Sequence, residues 1–259
     1  MIRHTLLLLL LLPGLAQAQE VRGSYAGFAK GLNVLNLDLD FTLTATTYRV
    51  HIQHRTAGTV GALFRGEQDT TVEGRFVAGR PVPQRFYSQG HFRGQPRVTL
   101  IDYAGGNPVV RTLVPPNEEE REPVPDALQA RTIDSISAMA QLIRQIGTTG
   151  KCEGNATIFD GRRLSEIAVR TVGMELIEPS NRSSFQGPAL RCDFEGRLLA
   201  GFRRDGDPEQ MRRPQRGSAW FAAVTPGSAP IPVRISFQAP VVGTATLVLT
   251  GSGAGQPGG

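Results

Sequence analysis

Cysteine and lysine are almost missing from this 259-residue chain, tryptophan occurs once, and only 7% of the residues are aromatic. Each scarcity narrows the chemistry. The two cysteines, Cys152 and Cys192, are far apart in sequence and form no Cys-x-x-Cys pair, so neither a zinc ribbon nor a dithiol redox motif is written here. Lys30 and Lys151 are the only lysines; the net charge of +5 is carried by arginine without interleaved aromatic residues, which argues against nucleic acid as a partner. No Gly-x-Ser-x-Gly elbow marks a nucleophilic serine. One long apolar run is present, from Leu6 to Leu12, and no second run could form a transmembrane segment in the mature chain.

That run sets the address. Arg3 and His4 precede it, Pro13-Gly14 break it, and Ala16-Gln17-Ala18 complete a secretory signal peptide over residues 1–18, cleaved before Gln19. An exported protein with arginine-rich composition is expected in a Gram-negative periplasm. In that oxidising compartment Cys152 and Cys192 are expected to form one disulfide. A catalytic dithiol is the alternative. Closing a loop of this length is worth roughly 4 kcal/mol on the chain-entropy model.

The remaining chain reads as one β-rich domain over residues 19–250. Leu35, Leu37, Leu39, Phe41 and Leu43 alternate with Asn36, Asp38, Asp40 and Thr42, the pattern of a half-buried antiparallel strand. Tyr48, Val50 and Ile52 repeat it, and glycine turns recur at Gly58, Gly66, Gly74, Gly79, Gly94 and Gly105-Gly106. Residues 115–131 open with four prolines and five acids between Pro115 and Asp126. They read as a mobile loop, too charged to bury and unable to join a sheet. One helix is expected from Thr132 to about Ile146, capped by Thr132 and ended by Gly147, with Ile133, Ile136, Met139, Ala140, Ile143 and Ile146 as its apolar stripe. Strands resume after Cys152, first as a hairpin turning at Asp160-Gly161. Residues 251–259 read as a flexible tail. The fold class is therefore mainly β: a strongly curved antiparallel sheet or open barrel wrapping one central α-helix.

Three sets of polar residues invite chemistry. His51, His54 and His91 survive cleavage, but His51 and His54 point to opposite sides of a strand, so no metal site is expected. Asp38 and Asp40 share a face, as the carboxylates of a glycoside hydrolase would, and also as solvated positions of any half-buried strand do. Arg203, Arg204, Arg212, Arg213 and Arg216 form a candidate patch for an anionic partner, or a solvated loop facing the acidic segment Glu118–Glu122.

Several blocks resemble the bacterial domain-of-unknown-function family 3108 of exported envelope proteins. They are Leu35-Asn-Leu-Asp38, Ile133-Asp134-Ser-Ile136-Ser137-Ala138, Cys152 followed by Phe159-Asp160-Gly161-Arg162-Arg163, Gly187 to Cys192, Ala200-Gly201-Phe202 and Pro232-Val233-Arg234-Ile235. The resemblance spans most of the mature chain, departing at Leu164 where an aromatic residue is expected. It implies a curved sheet around a helix, somewhat like the LolA and LolB periplasmic lipoprotein carriers, and carries over no functional residue. The expectation is a non-enzymatic envelope protein without cofactor that holds a lipid or acylated ligand, its apolar lining including Leu37, Leu39, Ile136, Met139 and Ile143. A module that binds an envelope protein without a small ligand is the alternative, and a hydrolase the third reading.

Overall fold

Alternating apolar and polar positions, punctuated by glycine turns, become thirteen antiparallel strands in a computed structural model that describes residues 18–239 and 243–254. In chain order these are β1 (Gln19–Ala29), β2 (Leu32–Leu43), β3 (Thr47–Thr56), β4 (Gly66–Val77), β5 (Arg80–Phe92), β6 (Gln95–Ala104), β7 (Asn107–Val114), β8 (Gly154–Phe159), β9 (Leu164–Ile177), β10 (Gly187–Ala200), β11 (Gln215–Ala223), β12 (Pro230–Ala239) and β13 (Gly243–Ala254). Four helices join them: α1 (Gly58–Leu63), α2 (Asp126–Gln129), α3 (Ser135–Thr149) and α4 (Pro208–Arg212). β1 pairs with β13 in the middle of the sheet, β2 to β7 follow on one side and β12 to β8 on the other. Curling brings the two edges, β7 and β8, toward each other, and the result is a nearly closed barrel. Residues 1–17, where a signal peptide is expected, lie outside the described residues. The expected tail does not begin at Gly251: residues 251–254 extend β13 and pair with Val21 to Ser24, because backbone pairing does not require the side chains that glycine lacks.

The acidic segment lies along the seam and contacts both sides of it. Asn117 and Val124 are buried, Arg97 makes two hydrogen bonds to the Glu120 carboxylate at 2.8 and 2.5 Å, and Arg162 donates to the Pro115 carbonyl at 2.7 Å. Arg121 even forms an isolated β-bridge with Arg203. Glu118, Glu119, Glu122 and Asp126 are exposed, as the charge of the segment leads one to expect, and Glu120 alone is half-buried, met by Arg97 of β6 and Arg162 of the β8–β9 turn. That turn comes close because Gly161, at φ 88°, lies against Thr99, Ile101 and Leu113, where a side chain would have to displace them.

α3 starts three residues later than expected and runs three residues further. Ile133 is held extended by a bridge to Ile158 of β8, so Thr132 cannot cap the helix. Asp134 does so, accepting from the Ile136 and Ser137 amides at 3.0 and 2.8 Å. At the other end Gly147 is tolerated inside the helix and Gly150, at φ 67°, terminates it. The helix packs against β4, β5, β8 and β12, and its Ala140, Ile143 and Ile146 enter one core with Val21, Phe41, Val50, Val72 and Phe221. Cys152 and Cys192 are bonded, with Cα atoms 6.1 Å apart, and both are buried. The bridge ties the segment after α3 to β10.

Candidate functional site

The inward face of the barrel changes character along its axis. Near the β2–β3 turn, register aligns Phe41, Val50, Val72, Phe86 and Ile101 across five strands, and all but Phe86 are buried. Two residues further along, the aligned row is Leu39, Ile52, Thr70, Ser88 and Thr99. The next is Leu37, His54, Gln68, Gly90 and Arg97. Leu37, Leu39 and Ile52 are only half-buried although they share the parity of Phe41. A strand's alternation fixes which face a side chain joins but not how deeply that face is covered. Here α3 provides the cover at one end, and the other end is left partly open.

At the covered end the polar groups are satisfied. Tyr48 O–H donates to Ser137 Oγ at 2.8 Å, Ser137 O–H donates to Asp134 Oδ2 at 2.6 Å, and Tyr103 O–H approaches the same oxygen at 3.4 Å. Tyr48 reaches the helix because Gly74 has no side chain where its ring passes. Asp134 is fully buried, and desolvation holds its pKa above the usual carboxylate range against the pull of its hydrogen bonds. Burial also raises Tyr48 and Tyr103, with the Asp134 charge adding to the effect.

Three buried polar atoms have no partner among the described residues: the Tyr25 hydroxyl, Gln141 Oε1 on α3 and Asn117 Oδ1 in the acidic segment. Tyr25 is register partner of Leu37 and of Leu249, and burial raises its pKa. His54, beside Leu37, is held below the usual imidazole value by desolvation. An orphaned buried hydroxyl costs free energy unless water or a ligand satisfies it.

The proposed lining residues come together in part. Leu37, Leu39, Ile136 and Met139 are half-buried against the common core, whereas Ile143 is 2% exposed and is core itself. The five arginines do not assemble into a free cationic patch. Arg203 pairs with Asp205, Arg204 donates to the Glu118 carbonyl, Arg212 stacks on Phe202, Arg213 ends α4, and Arg216 pairs with Glu195 on the sheet. Asp38 accepts from Ser24 at 2.7 Å and Asp40 pairs with Arg22 at 2.8 Å, both on the outer face. His51 lies there too, 3.0 Å from Asp69. Among the described residues no group of three or more His, Cys, Asp or Glu is placed to hold a metal, and no helix is long and apolar enough to cross a membrane. Sequence reasoning missed Tyr25 and Gln141 and weighed His54 only as a metal ligand; the parity of Tyr25 with Val21 was the one signal available.

The family model described as "Protein of unknown function (DUF3108)" matches residues 21–250. No curated protein matches the chain. Among solved structures it is similar to a beta-barrel-like protein of the domain of unknown function DUF1849 from Brucella abortus. The two are 12% identical with a TM-score of 0.54, over 92% of this chain and 99% of that one. The likeness is one of fold.

Proposed function

From a chain that belongs to the DUF3108 family, we propose an exported, non-enzymatic envelope protein that holds a lipid or other apolar ligand in the open end of its barrel, which curls around α3. One observation carries this reading: the inward side chains of β2 pass from buried at Phe41 to half-buried at Leu39 and Leu37, beside the unpartnered Tyr25 hydroxyl. Half-buried leucines give an acyl chain apolar contact, and the hydroxyl and His54 offer a polar end group something to bond. The part is that of a periplasmic carrier of the LolA or LolB kind.

Native mass spectrometry of protein purified from the periplasm tests it, together with uptake of a fluorescent fatty acid. A bound lipid mass, and uptake that falls on Leu37→Asp substitution, are the expected results. A bare polypeptide mass and no uptake, with an envelope protein captured by crosslinking, would replace the carrier with an interaction module.

A further inference from the structure

Three turns of the meander reach the same end of the barrel, because successive antiparallel strands reverse direction: β1–β2, β3–β4 through α1, and β5–β6. This is the end away from α3. Each of the three tips shows a large apolar side chain beside a cation. Lys30 adjoins Leu32, which is 59% exposed; Leu63 (70%) and Phe64 (41%) adjoin Arg65; Phe92 (41%) adjoins Arg93. The tips touch. The Arg93 guanidinium lies 4.4 Å from the centre of the Phe64 ring and 5.4 Å from that of Phe92, and the Ala57 amide at the start of α1 donates to Val34 of β2 at 3.0 Å.

None of the three cations forms an ion pair among the described residues, although many other arginines do. Glu67, the carboxylate nearest along the chain, makes no ion pair with them either. Lys30 and Arg93 sit at φ 48° and 53°, a region that disfavours side chains other than glycine's. The strain places both charges at the outermost points of their turns. At the opposite end the β4–β5 turn also exposes Val77 (50%) beside Arg80, which forms no ion pair among the described residues, but the β2–β3 and β6–β7 turns, made of Ala45-Thr46 and Gly105-Gly106, show neither, so such tips stand alone there and come in a touching group of three only at the end away from α3.

We propose that this end docks on an anionic lipid surface, with Leu32, Leu63, Phe64 and Phe92 entering the headgroup boundary and Lys30, Arg65 and Arg93 at the phosphates. Charge complementarity decides the occupant. Exposed apolar side chains alone would suit any greasy partner, but unpaired cations interleaved with them match a negatively charged interface. The inference rests on the tips and not on a ligand in the barrel.

Co-sedimentation of the purified protein with vesicles tests it. Vesicles of phosphatidylcholine mixed with phosphatidylglycerol should carry the protein down, and phosphatidylcholine vesicles should not. Binding should weaken as salt is raised. Lys30→Gln, Arg65→Gln and Arg93→Gln should each weaken it about fivefold, and Leu63→Ser, at a position without buried contacts, should do the same or more. Val77→Ser with Arg80→Gln at the other end should leave it unchanged. Melting temperatures identify any variant that has lost its fold, and Leu63→Ser keeps the test valid if Phe64 or Phe92 variants do. No sedimentation with either vesicle, equal sedimentation with both, or equal loss in the far-end variant overturns the proposal. Loss of docking with retained fatty-acid uptake would fail this inference alone; docking without uptake would fail the carrier reading alone.

Discussion

The two ends of the barrel are built on opposite terms. Where α3 lies, Phe41, Val50, Val72 and Ile101 are buried, Asp134, Ser137 and Tyr48 bond one another with half-buried Tyr103 beside them, and two of the meander turns are small. At the far end the leucines of β2 are half-buried, the Tyr25 hydroxyl has no partner, and the turn tips expose phenylalanine, leucine and unpaired cations. A fully satisfied buried network rigidifies the place where it sits, and an unsatisfied one leaves room for water or ligand. The satisfied network is thus concentrated at one end, and the proposed recognition falls at the other. The difference can be broken from either side.

The largest effect is expected at Asp134. Replacing it by alanine removes the helix cap, worth about 1–2 kcal/mol, and leaves the Ser137 hydroxyl buried without its acceptor, about 1–3 kcal/mol more. Asp134→Ala should thus cost about 2–5 kcal/mol in urea unfolding. A loss well under 1 kcal/mol would show that the network does not anchor the helix.

Alkaline titration probes the same end. Tyr48 and Tyr103 both ionise above their ordinary value of 10.0 in the folded protein. Above that value the unfolded chain gives up the two protons while the folded one keeps them, so stability falls as pH rises. Each tyrosine contributes about 1.4 kcal/mol at one pH unit past its ordinary value. Tyr103→Phe should remove its share of the slope between about pH 9 and 11. Equal slopes in variant and wild type would mean that the phenol is solvated.

Much of this arrangement was readable in the sequence, and the exceptions share a cause. The alternation from Leu35 to Leu43 identifies a strand and its inward face, yet all five positions look alike; their grading from half-buried to buried depends on where a helix a hundred residues later comes to rest. Thr132 and Asp134 are equally good caps by type, and the choice falls to a bridge between Ile133 and Ile158 that no local pattern announces. The acidic segment reads as solvated, and most of its carboxylates are; the pairing of Glu120 was hidden because its partners, Arg97 and Arg162, are remote in the chain. The disulfide was legible because a chain read as exported, with two cysteines, leaves one pairing. The Tyr25 hydroxyl was not, since only assembled packing shows that nothing reaches it.

A milder pair of substitutions compares core with lining on one helix. Ile143→Ala should cost about 3 kcal/mol, as a packed core truncation does. Met139→Ala, at a half-buried position with freedom to relax, should cost about 1 kcal/mol. If a ligand occupies the open end, Met139→Ala should also lower fatty-acid uptake while Ile143→Ala leaves the remaining folded protein competent. Equal thermal shifts for the two would erase the distinction between core and lining.

The smallest change carries the sharpest sign. Tyr48→Phe and Tyr25→Phe each delete one buried hydroxyl and leave the ring in place. The Tyr48 hydroxyl donates to Ser137 at 2.8 Å, so its removal should cost about 1 kcal/mol. The Tyr25 hydroxyl is desolvated without a partner, so its removal should raise the stability of the empty protein by up to about 1 kcal/mol. The same deletion should weaken any ligand whose polar group bonds there, so Tyr25→Phe is expected to be more stable and a poorer binder. A loss of stability in both variants would mean that a buried water already satisfies Tyr25, and the polar contact would then have to be assigned to His54 or Gln141.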